Sequence, residues 1–199
     1  AAFNFYMKLI QGQYRELGMM RCRFFLLVQD HTIPEDLRVR LDVLRTLTDN
    51  GKDIQNFEVE IVKFMYKWMD QIIEGQLTAS YLALLVNLIK YNTSSFESHI
   101  ICQIVQRVCN DICYKFIDDR DTFLQCLFII ETVICYCVFP DEILKPCIIV
   151  LCLAVNFEMY VESSYKIMRS LLGTQFGYAS ILKMCNMLKE GKTLVDPYI

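Results

Sequence analysis

Between residues 37 and 48 the chain places Leu37, Leu41, Leu44 and Thr48 at i, i+4, i+7 and i+11, with Arg38, Arg40, Asp42 and Arg45 between them. Only the 3.6-residue turn of an α-helix gathers such positions on one side and turns the charges to the other. The spacing predicts an amphipathic helix here, and related spacing runs through nearly the whole chain. Helix punctuation accompanies it. Thr32 and Glu35 have the offsets of a capping box, and Asn50-Gly51 supplies a left-handed stop. Gly75 ends a further helix, Thr78 is placed to cap the next, and Ser94 and Glu97 repeat the box spacing. Asp118-Asp119 opens the segment FLQCLFIIETVICYCVF, Phe139-Pro140-Asp141 breaks it, Asn156 is placed to start EMYVESSYKIMRSLL, and Gly173 closes that helix. The pattern predicts about ten helices. It predicts no strand, because alternation of polar and apolar residues never persists.

Paired, the helices show a repeat in length. First members begin near residues 1, 34, 78, 119 and 160, a period of about 40 that is expected of HEAT-like helix-pair solenoids. Pro146 stands a few residues into its helix, where it marks either a kink or the true first turn. The expected class is therefore all-α, an α-solenoid of HEAT-like helix pairs with no sheet; a globular helical bundle is the competing arrangement. Residues 1–199 read as a single solenoid fragment of a longer chain, since the sequence starts without Met and in mid-pattern.

Several function classes lose support at this stage. The longest apolar run, CIIVLCLAV at 147–155, falls short of the roughly 20 residues that span a bilayer, so no transmembrane segment is expected. The opening AAFNFYMKLI lacks the basic start and small-residue cleavage site of a secretory signal. Twenty basic and 23 acidic residues give a net charge of −3, and no Lys/Arg run is available to track phosphates. Nucleic acid is not an expected partner.

Ten cysteines in 199 residues raise the question of metal or redox chemistry. On an ideal wheel Cys102, Cys109 and Cys113 share one arc with Val105, Ile112 and Phe116, which reads as core. Zinc needs four ligands, usually as close-spaced pairs, and the chain has no CxxC, no HxxxH and two histidines, His31 and His99. His99 and Cys102 have the spacing of a half-site without an identifiable second half. Cys135 and Cys137 point apart on one helix. Helix-period cysteines without loop spacing suit a reducing compartment better than a disulfide framework. A Cys-rich metal-binding helical domain stays as a lesser alternative. His31 beside Asp30 suits carbonyl capping, and acidic pairs at helix starts suit the macrodipole. GTQFG at 173–177 lacks the Lys-Ser/Thr ending of a phosphate loop and reads as helix stop then helix start.

Phe57, Ile61, Phe64, Met65 and Trp68 form a core-like stripe on one predicted helix. Glu60, Lys63, Lys67 and Gln71 form its polar stripe, either a solvated face or a partner-contacting one. No catalytic, metal or cofactor-binding residue is assigned.

Five blocks carry a family resemblance: QGQYRELGMMRCRFF at 11–25, LTDNGKDI at 47–54, KWMD at 67–70, LLVNLIKYN at 84–92 and MRSLLGTQFGYASILKMCNML at 168–188. In this order the chain resembles the N-terminal region of the tuberin family along nearly its whole length. The resemblance implies a non-catalytic HEAT-like scaffold on which the coiled coil of hamartin docks. In that family the complex activates GTP hydrolysis by the small GTPase Rheb, restrains TOR signalling and acts as a tumour suppressor. The activating function belongs to a C-terminal domain, and this chain stops at Ile199 without it. The resemblance thus implies no enzyme activity and no cofactor in this segment. It also implies a cytoplasmic location with recruitment to the lysosomal membrane as part of the complex. Glu60, Lys63, Lys67 and Gln71 are the candidate partner-binding residues, and self-association through the cut solenoid ends is expected. A spacer solenoid without a partner of its own is the alternative.

Overall fold

The computed structural model describes residues 36–55, 57–74 and 77–189. The first predicted helix, the Thr32–Glu35 cap, His31 and Gly75 lie outside the described residues. Among those described there are nine helices and no strand. They are α1 (Leu37–Leu47), α2 (Glu58–Lys67), α3 (Met69–Glu74), α4 (Thr78–Tyr91), and α5, a continuous run of Ser98–Arg107, a π turn Val108–Ile112 and Cys113–Lys115. After them come α6 (Arg120–Tyr136), α7 (Leu144–Ala154), α8 (Val161–Leu172) and α9 (Gly177–Lys189). First members of successive pairs start at Leu37, Thr78, Arg120 and Val161, a recurrence of about 41 residues that matches the predicted period. The chain divides into two compact units, Ala1–Phe96 and Glu97–Ile199.

In the first unit, α1 buries Leu37, Leu41, Leu44 and Leu47, the predicted apolar face. Its end is built by Thr48, whose hydroxyl donates to the Leu44 carbonyl (2.7 Å) and accepts from the Gly51 amide (2.7 Å). Asp49, Asn50 and Gly51 then take positive φ values of 47°, 55° and 87°, as expected of the Asn-Gly stop. Helix α4 clamps this turn. The Asn87 and Asn92 side-chain amides donate to the carbonyls of Asn50 and Gly51, each at 2.9 Å. A Cβ at Gly51 would lie 3.1 Å from the Leu84 carbonyl oxygen, the Leu88 nitrogen and the Asn87 Cβ. Gly51→Ala is therefore expected to cost about 1–3 kcal/mol. Trp68 is the single tryptophan and lies in the same unit, so urea unfolding monitored by its fluorescence reads that loss.

Two predicted caps are corrected in this region. Thr78 is the buried first residue of α4, with Leu77 at the cap position, where no side-chain capping bond forms. Ser94 lies in a 3-10 turn, Thr93–Ser95, and Glu97 with extended backbone is itself the residue before α5, so the reciprocal box is absent. Tyr81, one turn into α4, is fully buried and donates its hydroxyl to the Met65 carbonyl at 2.7 Å, tying α4 to α2.

The second unit shows why the chain repeats. Helix α6 packs on α8, while the π turn of α5 packs on α7 and α7 packs on α9. First members thus stack on first members and second on second, with α7–α8 and α8–α9 contacts joining the two layers. This is the helix-pair logic of a solenoid. Asp119 caps α6 as predicted: its carboxylate accepts from the Asp121 and Thr122 amides at 3.2 and 3.4 Å and from the Thr122 hydroxyl at 2.7 Å. Pro146 is the third residue of α7, where its missing N–H costs nothing, so it marks the first turn and not a kink. Gly173 comes directly after the end of α8 and Gly177 opens α9, where a Cβ would overlap the Leu172 carbonyl. GTQFG is helix stop then start.

One boundary differs. Helix α8 begins at Val161, not after Asn156. The Asn156 amide donates backward to the Cys152 carbonyl at 3.5 Å, and the backbone makes two further turns before Tyr160. Tyr160 is buried, stacks on Phe123 with centroids 4.3 Å apart, and donates its hydroxyl to the Ile117 carbonyl at 2.8 Å. One side chain therefore fixes the start of α8 against the entry to α6.

Candidate functional site

The cysteines resolve into a different set from the one the ideal wheel suggests. Cys109 and Cys113 on α5 meet Cys126 on α6 and Cys147 on α7, and all four are buried. Cys109 shares a thiol hydrogen bond with Cys147, and Cys113 shares one with Cys126. The bond to Cys147, with burial, pushes the Cys109 thiol well above its ordinary range; burial, with the bond to Cys126, does the same for Cys113. These groups stay protonated and are poor nucleophiles. Cys102 is only half-buried. The π turn explains the split. Its extra residue rotates the remainder of α5 by roughly one residue's angle, about 100°. Cys109 and Cys113 are swung into the core, and Cys102, which precedes the turn, is left at its edge.

The other candidates for chemistry separate as well. His99 is exposed, with Nδ1 3.2 Å from a Glu97 carboxylate oxygen. Cys135 is exposed and Cys137 half-buried, its thiol pushed up to about 11 by burial. Among the described residues no group of three or more His, Cys, Asp or Glu side chains is arranged to hold a metal ion.

On α2 the wheel holds better. Phe57, Ile61, Phe64 and Met65 are buried, and Trp68 is half-buried where α2 ends. The opposite side exposes Lys63 and Lys67, one turn apart, with Glu60 half-buried beside them. Trp68 interrupts the helix, so Gln71 is exposed on α3, beyond the break and not on a continuous stripe. The polar reading passed over two apolar side chains on this face. Val59 is 58% exposed and Tyr66 43% exposed, at i and i+7, flanking Lys63. Their wheel positions, away from the Phe57–Trp68 arc, were the available signal. The Lys67 ammonium sits 5.3 Å from the Trp68 ring centroid, a cation–π contact that orients it. The surface presents two apolar side chains and two like charges on one helix face.

No helix among the described residues is long and apolar enough to cross a membrane. A solved structure described as "Structure of the TSC2 N-terminus" superposes with a TM-score of 0.78 at 18% sequence identity. It covers 87% of this chain, while this chain spans 46%, about half, of that one. The likeness shows the fold: an all-helical solenoid. The family model described as "Domain of unknown function (DUF3384)" matches residues 1–196. Matched over nearly all its length, the chain belongs to the DUF3384 family, that of the tuberin N-terminus.

Proposed function

We propose that this chain is a non-catalytic docking scaffold, the segment on which the hamartin coiled coil is received. Membership of the DUF3384 family, together with the solenoid fold, is the observation that carries the reading. The exposed α2 face around Lys63 and Lys67, with Glu60 and Gln71 at its margins, is the surface we assign to the partner. Such a face suits a helix laid along it, read by side chains at one-turn intervals. In this reading the chain works in the cytoplasm and travels to the lysosomal membrane with its complex. In the same reading, stimulation of GTP hydrolysis by Rheb and restraint of TOR signalling are functions of the assembled complex and are not assigned to residues of this segment.

Titration of the chain with a hamartin coiled-coil segment is the direct test. Association at about tens of micromolar or tighter is expected. Absence of heat and of co-elution at that concentration, with helical circular dichroism intact, would remove the proposal.

A further inference from the structure

Lys63 and Lys67 stand one turn apart on the exposed side of α2, and among the described residues neither has a carboxylate partner. Like charges at i and i+4 repel, a cost to the isolated helix that stands against the contact of Lys67 with Trp68. A glutamate at 63 would instead pair with Lys67 in the favoured order, acid N-terminal to base. The face also leaves Val59 and Tyr66 in solvent, and Tyr66 is of the aromatic type that dominates binding energy when a partner covers it. Glu60 precedes the lysines on the same helix, half-buried. The pattern along α2 is therefore an acidic margin followed by a basic pair, with an apolar knob at 59 and another at 66.

From this pattern we infer that the α2 face selects an amphipathic helix carrying an acidic pair at i and i+4 beside its apolar seam, with a neutral or basic residue where it meets Glu60. A uniformly acidic helix would meet Glu60 unfavourably, and a basic one would meet the lysines. The inference rests on the docking reading above and specifies the chemistry the face reads.

The test uses the whole chain and two synthetic amphipathic helices with the same leucine seam, one with a Glu pair and one with a Lys pair at i and i+4. The Glu helix is expected to bind, with affinity falling as salt rises, and the Lys helix to bind at least about tenfold more weakly. Lys63→Glu/Lys67→Glu should reverse that preference, Tyr66→Asp should abolish binding to both helices, and Lys63→Glu alone should weaken docking while leaving the melting temperature unchanged or raised. Equal binding of the two helices overturns the inference, and so does a double variant that keeps the original preference. Binding of the wild-type chain to anionic vesicles, or to itself, with loss of both in the double variant, also overturns it in favour of another occupant. The two proposals fail separately. A hamartin segment that binds wild type and double variant alike leaves the docking reading standing and sinks the charge code. A Glu helix that binds where no hamartin segment does sinks the docking partner and leaves the charge code.

Discussion

Phe123→Ala is expected to lower the unfolding free energy of the second unit by about 3–5 kcal/mol, the usual cost of emptying an aromatic site in a packed core. Phe123 is 0% exposed and stacks on Tyr160 at 4.3 Å. Removing it opens a void between α6 and the start of α8, and it loosens the ring whose hydroxyl satisfies the Ile117 carbonyl. Collapse into the void is resisted because Tyr160 is held by that hydrogen bond at its hydroxyl and by the Phe157 ring, 6.1 Å away, against its own ring. Phe128 on the same helix is 37% exposed, and Phe128→Ala should change stability by less than about 1 kcal/mol. Urea unfolding monitored by far-ultraviolet circular dichroism compares the two. Similar midpoints for both variants would mean that the Phe123 site is not the packed core described.

Native-state thiol labelling should divide the cysteines sharply. Cys109, Cys113, Cys126 and Cys147 are buried and should label only when α5, α6 and α7 separate, whereas exposed Cys135 and Cys185 should react at once. An opening that costs about 4 kcal/mol or more slows modification roughly a thousandfold. Half-buried Cys102, Cys137 and Cys152 should fall between. The same burial has a pH signature. The folded-state pKa values of Cys109 and Cys113 are raised above the ordinary 9.0. Above that pH the unfolded chain gives up these protons and the folded chain keeps them. The unfolded state then binds fewer protons, so stability is level below about pH 9 and declines as pH rises further. Cys109→Ala/Cys113→Ala should flatten the decline. Prompt labelling of all four core thiols in mass spectrometry, or no alkaline loss of stability, would contradict this account.

Much of this fold was legible because helix period and chain punctuation are local properties. The Leu37–Leu47 face, the Asn50-Gly51 stop and the Asp119 cap depend on residues within a few positions of one another, and all three stand as read. The features that escaped depend on distant parts of the chain. The partnership of Cys109 with Cys147 is set by the stacking of α5 on α7, which no wheel drawn on one helix contains. The π turn defeated the wheel itself by adding a residue to a turn, and separated Cys102 from its neighbours. Asn156 was misread because an amide suited to start a helix serves equally well to close the preceding one. On the candidate surface the lysines were found from polarity alone. Val59 and Tyr66 were missed there because an apolar residue on a mostly apolar chain attracts no notice until its exposure is known.

The stacking of α6 on α8 and of α5 on α7 on α9 bears on how the molecule forms as well as on how it stands. Each of these helices finds its layer partner two helices along the chain, at the repeat interval of about 41 residues, so these layer contacts among the described residues need only loops of moderate length to close. Topologies of this kind fold quickly for their size, and they grow by addition to whatever is already in place. A newly added pair of this kind meets its layer partners in the pair already formed before it.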